Sequence, residues 1–420
     1  MGKLQSYLLY VGPLGLVGFC FIAALIYFWL PRKYFLEASF AFYAFWISMS
    51  KMTGFAGLAT LMKLTPFVPG LVIFFFILKY RKRKEWLVPS YYWCVPAVFA
   101  VSAFLVMRTY DASSAVPLRL TYGFYIYLAL LVVQRFTMED FRHAFVGLAI
   151  GYMAYSFVVA SGLLLAPYGG FIPGSGRFSS YGSNPNQVAF ELMPGVACIV
   201  YAFLHGSKGK FILKLFLLAA LVCALISALL SGSRQAIFIC GALALAPFLT
   251  LRSVKYVFLA LPLVVLAGFF ALRNEEFRAS GRIFTFDTTR FEIFMMYYQY
   301  GDLFKPFGML LEGGGFSTLD VEVGQHAHNA FIYTLHAFGF VVGGFHLMVM
   351  FRFLMAGLLQ RKPPVPWVQA MHRVVLVFLF ASFGLCFMGY SPIYPTFTLS
   401  FLFCLFGFMA IRFRSPQRLN

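Results

Sequence analysis

The sequence predicts an all-α polytopic integral membrane protein with about 12 transmembrane helices, 12–13 by count of its apolar runs. Of 420 residues, 61% are hydrophobic and only 11% charged, and the mean hydropathy is +0.82. A soluble globular chain does not carry that balance. The apolar runs reach or exceed the roughly 20 residues a spanning helix needs, whereas a closed outer-membrane barrel would alternate polarity in segments of about ten residues.

Taken in order, the runs lie at about 7–30, 34–50, 54–78, 86–107, 118–133, 144–166, 187–204, 211–230, 234–250, 255–271, 329–357, 372–390 and 396–411. The first is too long for a signal-peptide core and lacks a small-x-small cleavage site, so it is expected to stay as a span. Residues 1–63 remain open, because Lys51 and Lys63 interrupt the pattern and one run there is re-entrant or broken. No internal repeat and no soluble domain are visible; residues 1–420 read as a single transmembrane domain with one large loop, 272–328, expected to hold short helices.

The charge balance, 33 Lys+Arg against 14 Asp+Glu for a net +19, could mark a nucleic-acid surface. Its distribution argues otherwise. Basic residues cluster between apolar spans, as the positive-inside rule requires, and no nucleic-acid partner is expected. Arg412, Arg414 and Arg418 follow the last run, and counting back puts Lys79 to Lys84, Arg135, Arg142, Lys208, Lys210, Lys214, Arg252, Lys255, Arg361, Lys362 and Arg373 on that same, cytoplasmic side. The seven cysteines lie singly within apolar runs, with no CxxC and no Cys/His ligand spacing, and read as small buried hydrophobes rather than disulfide or zinc ligands.

Four polar segments fall on the other side: 108–118, 167–187, 231–234 and 272–328. They carry arginines where the positive-inside rule would exclude them: Arg108, Arg119, Arg177, Arg234, Arg273, Arg278, Arg282 and Arg290. Cations near membrane level are costly without an anionic partner, and a guanidinium fork matches phosphate oxygens two at a time. Carboxylates of the same loop or lipid headgroups would serve equally as partners. Arg234, in Ser231-Gly232-Ser233-Arg234, has no acid near it in sequence and is the best candidate for a ligand contact.

Where the long loop re-enters the apolar run 329–357 stands Gln325-His326-Ala327-His328-Asn329. A His-x-His pair invites a metal reading, but no third ligand stands at a sensible spacing. His328 next to a helix start would be held neutral by the macrodipole, and a neutral imidazole accepts a proton from a hydroxyl. A histidine that merely caps the helix is the competing reading.

The run Gln325 to Phe331, followed by Gly339-Phe340-Val341-Val342-Gly343, resembles the His-Asn, apolar helix, GxxxG signature of the O-antigen ligase and polymerase superfamily. Upstream pieces are similar too. Thr289-Arg290 with Phe294 resembles its small-Arg-x-x-x-Trp segment with Phe for Trp, and Gly308 with Gly313-Gly314-Gly315 resembles its GxGxx turn. Ser231 to Arg234 resembles SxSR, and Gly176-Arg177 with Asn184-Pro185-Asn186 resembles GR…NPN. The resemblance covers about residues 170–345.

That resemblance implies a GT-C-type glycosyltransferase needing no metal and no cofactor, in a Gram-negative inner membrane with its active site facing the periplasm. It would carry an O-antigen glycan from undecaprenyl diphosphate to a hydroxyl of lipid A–core, with inversion. Arg234 and Arg290, with Arg177 and Arg282, would hold the donor diphosphate. His328 would be the base, and Asn329, Gln325 and His326 would support it. One dominant loop and a strongly basic chain favour the ligase; a polymerase extending undecaprenyl diphosphate-linked glycan shares every motif. Two readings of other classes stand beside it: a metal-dependent transferase built on Asp320-Val321-Glu322, and a non-enzyme transporter of lipid-linked oligosaccharide.

Overall fold

Residues 137–140 set the first landmark. Thr137 and Asp140 form a capping box, the Thr137 hydroxyl accepting from the Asp140 N–H and the Asp140 carboxylate accepting from the Thr137 N–H at 2.7 Å. This starts a 28-residue helix, Met138–Leu165, the longest in the chain's described parts. The computed structural model describes residues 29–50, 52, 54, 67–80, 88–98, 101, 112–173, 176–182, 184–206, 211–248, 295–299, 304–308, 330–359, 365–386 and 397–413.

The described helices, in order, are α1 (Arg32–Met49), α2 (Val68–Tyr80), α3 (Ala112–Arg135), α4 (Met138–Leu165), α5 (Pro185–Tyr201), α6 (Phe211–Leu230), α7 (Arg234–Leu245), α8 (Ala330–Phe338), α9 (Gly344–Leu358), α10 (Pro366–Cys386) and α11 (Phe397–Phe413). Two two-residue strands, β1 (Phe171–Ile172) and β2 (Arg177–Phe178), pair antiparallel with Ile172 opposite Arg177. Five described stretches are long and apolar enough to cross a membrane: Met138–Leu165, Pro185–Gly206, Phe211–Leu230, Gly339–Leu358 and Pro366–Gly384. The protein is thus an all-α membrane protein in its described parts, while the run 255–271 and most of 7–30 lie outside them.

α1 and α4 run parallel. Arg32 meets Asp140 at 3.3 Å, and His143 Nδ1 lies 2.7 Å from Glu37 Oε1. One turn further along, Gly147 and Gly151 lie against the backbone of Glu37 and Ala41, and a Cβ on either glycine would overlap a carbonyl oxygen there. Gly147-Leu-Ala-Ile-Gly151 is a small-xxx-small contact that lets two backbones approach.

One end of the bundle collects basic side chains. Arg142 donates to the His205 carbonyl at 3.1 Å, and Arg373 donates to the Pro247 carbonyl at 2.9 Å. Arg412 lies at this end too, but it is fully buried inside α11 rather than trailing into water as a positive-inside residue would. One of its terminal nitrogens donates to the Val133 and Phe136 carbonyls, at 3.0 and 2.6 Å, and its guanidinium packs over the Phe141 ring. A cation there satisfies carbonyls that the end of α3 leaves unpaired and opposes the negative end of its dipole.

α4 and α10 each begin six residues before the runs expected at 144 and 372, and two further boundaries differ from expectation. α3 begins at Ala112, inside the segment 108–118 read as an outer loop. The run 329–357, read as one span, is two helices separated by a wider turn at Gly339–Gly343.

Arg412→Ala is expected to lower the stability of the detergent-solubilised protein by about 3 kcal/mol, the scale of lost hydrogen bonds from a charged donor. Arg412→Lys, which keeps a cation at the helix end, loses less. Thermal unfolding of the three proteins side by side checks this; equal midpoints contradict it.

Candidate functional site

At the end opposite the basic one, α4 finishes and the chain turns through the hairpin β1–β2. Ser180 donates to the Val159 carbonyl at 2.7 Å and the Ser179 N–H to the Gly170 carbonyl at 2.9 Å, so the hairpin is tied to the last turns of α4. Arg177 leaves β2 and reaches two other segments at once. Its Nε donates to the Ser231 carbonyl at 2.8 Å, and a terminal nitrogen donates to Asn186 Oδ1 at 2.5 Å.

Both partners stand at helix starts. Asn184 caps α5, its side chain accepting from the Asn186 N–H at 2.9 Å, and Pro185 takes the first helical position, where its missing N–H costs nothing. The other start is the turn Ser231-Gly232-Ser233 before α7. The Ser231 hydroxyl donates to the Ala228 carbonyl at 2.7 Å and accepts from the Ser233 N–H at 3.2 Å, fixing the turn. Gly232 adopts a left-handed backbone, φ 62°, and a Cβ on it would stand 3.4 Å from Arg177 Nε. The left-handed backbone is what favours glycine there.

Ser233 is the residue before α7, yet its side chain makes no capping hydrogen bond. The first-turn N–H groups of α7 are therefore not capped from Ser233, and Arg234 is the first residue of that helix. Two helix starts, each carrying partial positive charge, are joined by one guanidinium. The arrangement suits an anion.

A second cluster gathers at the helix break. Gly339 (φ 71°) and Gly308 (φ 51°) face each other so closely that a Cβ on either would overlap the other's backbone. The Phe340 and Val341 N–H groups donate to the Lys305 and Pro306 carbonyls, at 3.1 and 3.0 Å. Nearby, the rings of Tyr297 and His336 meet edge to face at 5.4 Å. Two pieces of the long 272–328 segment thus lie on α8, whose first residue, Ala330, directly follows Asn329.

Of the residues expected at the site, Arg177 is described in full and Arg234 in its backbone. His328, Asn329, Gln325, His326, Arg290 and Arg282 lie outside the described residues, as do Asp320 and Glu322. The structure brings together Arg177, Asn186, Ser231 and the start of α7. Sequence reading had quoted Asn186 in a motif without giving it a role, and the Asn-Pro-Asn pattern of a capped helix start was the available signal. It passed over Glu191 as well. This acid is buried in α5, roughly 9 Å along the helix from Pro185, within electrostatic reach of the Tyr43, Tyr152 and Tyr155 hydroxyls.

Because Arg177 and Asn186 act through one contact, their losses should not add. Arg177→Ala, Asn186→Ala and the double variant are expected to show a coupling of about 1–2 kcal/mol in thermal unfolding. Additive losses would mean that the contact does not hold the two helix starts.

Comparison with known protein families, with curated proteins and with solved structures finds no match for this chain.

Proposed function

We propose that the protein is a glycosyltransferase of the O-antigen ligase type, acting on a lipid diphosphate-linked glycan at the periplasmic face of a bacterial inner membrane. One observation carries the reading. Arg177 touches both Asn186 and Ser231, so the three segments that resemble family motifs, GR, NPN and SxSR, meet at one place.

In this reading Arg177 is a positioning residue whose two hydrogen bonds keep the starts of α5 and α7 together. Arg234, Arg290 and Arg282 hold the donor diphosphate with the first-turn N–H groups of α7. His328, supported by Asn329, Gln325 and His326, takes the proton of the acceptor hydroxyl. The acceptor oxygen bonds to the anomeric carbon on the face opposite the diphosphate, and the bond from that carbon to the phosphate oxygen breaks. Undecaprenyl diphosphate departs with the electron pair, its charge met by the arginines. The chemistry calls for no metal, and the acceptor is lipid A–core; the polymerase reading differs only in using a second lipid-linked glycan as acceptor.

Purified protein given lipid-linked glycan and lipid A–core, with EDTA present, is expected to transfer glycan. Arg234→Ala should lose about 10²–10³-fold in rate, the scale of one lost charge-stabilising donor, and His328→Ala about 10²–10⁴-fold. Wild-type rates in His328→Ala would remove the base assignment. Glycan-on-glycan elongation alone would replace ligase by polymerase, and lipid movement without transfer would replace the enzyme by a transporter.

A further inference from the structure

We infer that the segment Phe304-Lys305-Pro306-Phe307, with Phe340 and Val341, is a lipid-docking surface that sits at the edge of the bilayer and takes phospholipid, acyl chain and phosphate headgroup together. The inference does not depend on the glycosyl-transfer reading.

Depth comes first. Gly339–Leu358 is a 20-residue apolar stretch, about 30 Å long at 1.5 Å per residue, and so matches the hydrocarbon thickness by itself. Its Leu358 end leads into Arg361 and Lys362, so its Gly339 end lies at the opposite boundary of the bilayer. Phe340 and Val341 occupy that boundary. Their N–H groups donate to Lys305 and Pro306, which fixes residues 304–307 at the same level although they belong to the long polar loop.

Chemistry comes second. Phe304 is 76% exposed, Phe307 42%, Phe340 52% and Val341 47%. Lys305 and Pro306 between them are exposed as well. Four large apolar side chains turned outward on adjoining backbone would be costly in water. At the bilayer edge they would meet acyl chains, and Lys305, between Phe304 and Phe307 in sequence, would lie at the level of the headgroup phosphates. The backbone hydrogen bonds matter for the same reason. A helix break at membrane level is tolerated where its free N–H groups find acceptors, and the loop supplies them.

The occupant is the bilayer and not a second copy of this chain, because the patch continues directly from a span that already faces lipid along Met348 and Phe351, both exposed.

A benzophenone amino acid placed singly at Phe304, Phe307 or Phe340 tests this in the full-length protein, reconstituted in liposomes of one defined phospholipid. Illumination is expected to give peptides carrying that phospholipid's mass at all three positions. A cross-link to another copy of the chain would make the patch an oligomer interface and overturn the proposal. No adduct would also overturn it, since water offers the reagent no C–H bond. As a second readout, Phe304→Trp should add fluorescence quenched several-fold more by lipids brominated in the upper chain than by acrylamide; the reverse order contradicts the proposal.

Discussion

Arg177 holds the two helix starts of the candidate site together, and it does so by satisfying a backbone carbonyl. The Ser231 oxygen, at the end of α6, accepts from its Nε, while Asn186 accepts from the same guanidinium. In an apolar bundle every helix end leaves N–H or C=O groups without a partner in the helix, and lipid offers none. The way each such end is satisfied decides what can lie beside it.

The same constraint is met elsewhere by different means. Arg412 supplies donors to the last carbonyls of α3, and Gln134 pairs with both backbone groups of Val88, at 3.2 and 2.9 Å, acting as a short piece of strand. At Gly339 the roles reverse, and loop carbonyls of Lys305 and Pro306 accept from the restarting helix. Among the described residues, the buried Arg412 and Gln134 are thus placed where backbone would otherwise be stranded. At the start of α7 the Ser233 side chain makes no capping hydrogen bond, as none is made at the start of α1. A helix start beside an arginine is a physical basis for binding a phosphate.

Much of the fold could be read from the chain because apolar length is a strong signal in a membrane protein. The runs 211–230 and 396–411 coincide with α6 and α11 to within two residues. Segments 167–187 and 231–234 were put on one side by counting spans, and Arg177 does reach Ser231. The break at Gly339 had a signal, since glycines at 339 and 343 inside an apolar run suggest a kink, but its form depends on the approach of Gly308 from a distant loop. Arg412 was read with Arg414 and Arg418 as a positive-inside cluster, and only the nearby end of α3 makes it a cap. The joining of Arg177 to Ser231, 54 residues on, needed two distant segments to meet in space, which no pattern along the chain contains.

The central claim is that the paired starts of α5 and α7 form the seat of a lipid diphosphate. The most direct test is an experimental density map of the protein with an undecaprenyl diphosphate bound. The account predicts the diphosphate between the two helix starts, within hydrogen-bonding distance of the first-turn N–H groups of α7 and of the Arg234 guanidinium. A diphosphate seated away from both starts, with Arg177 still joined to Asn186 and Ser231, would contradict it.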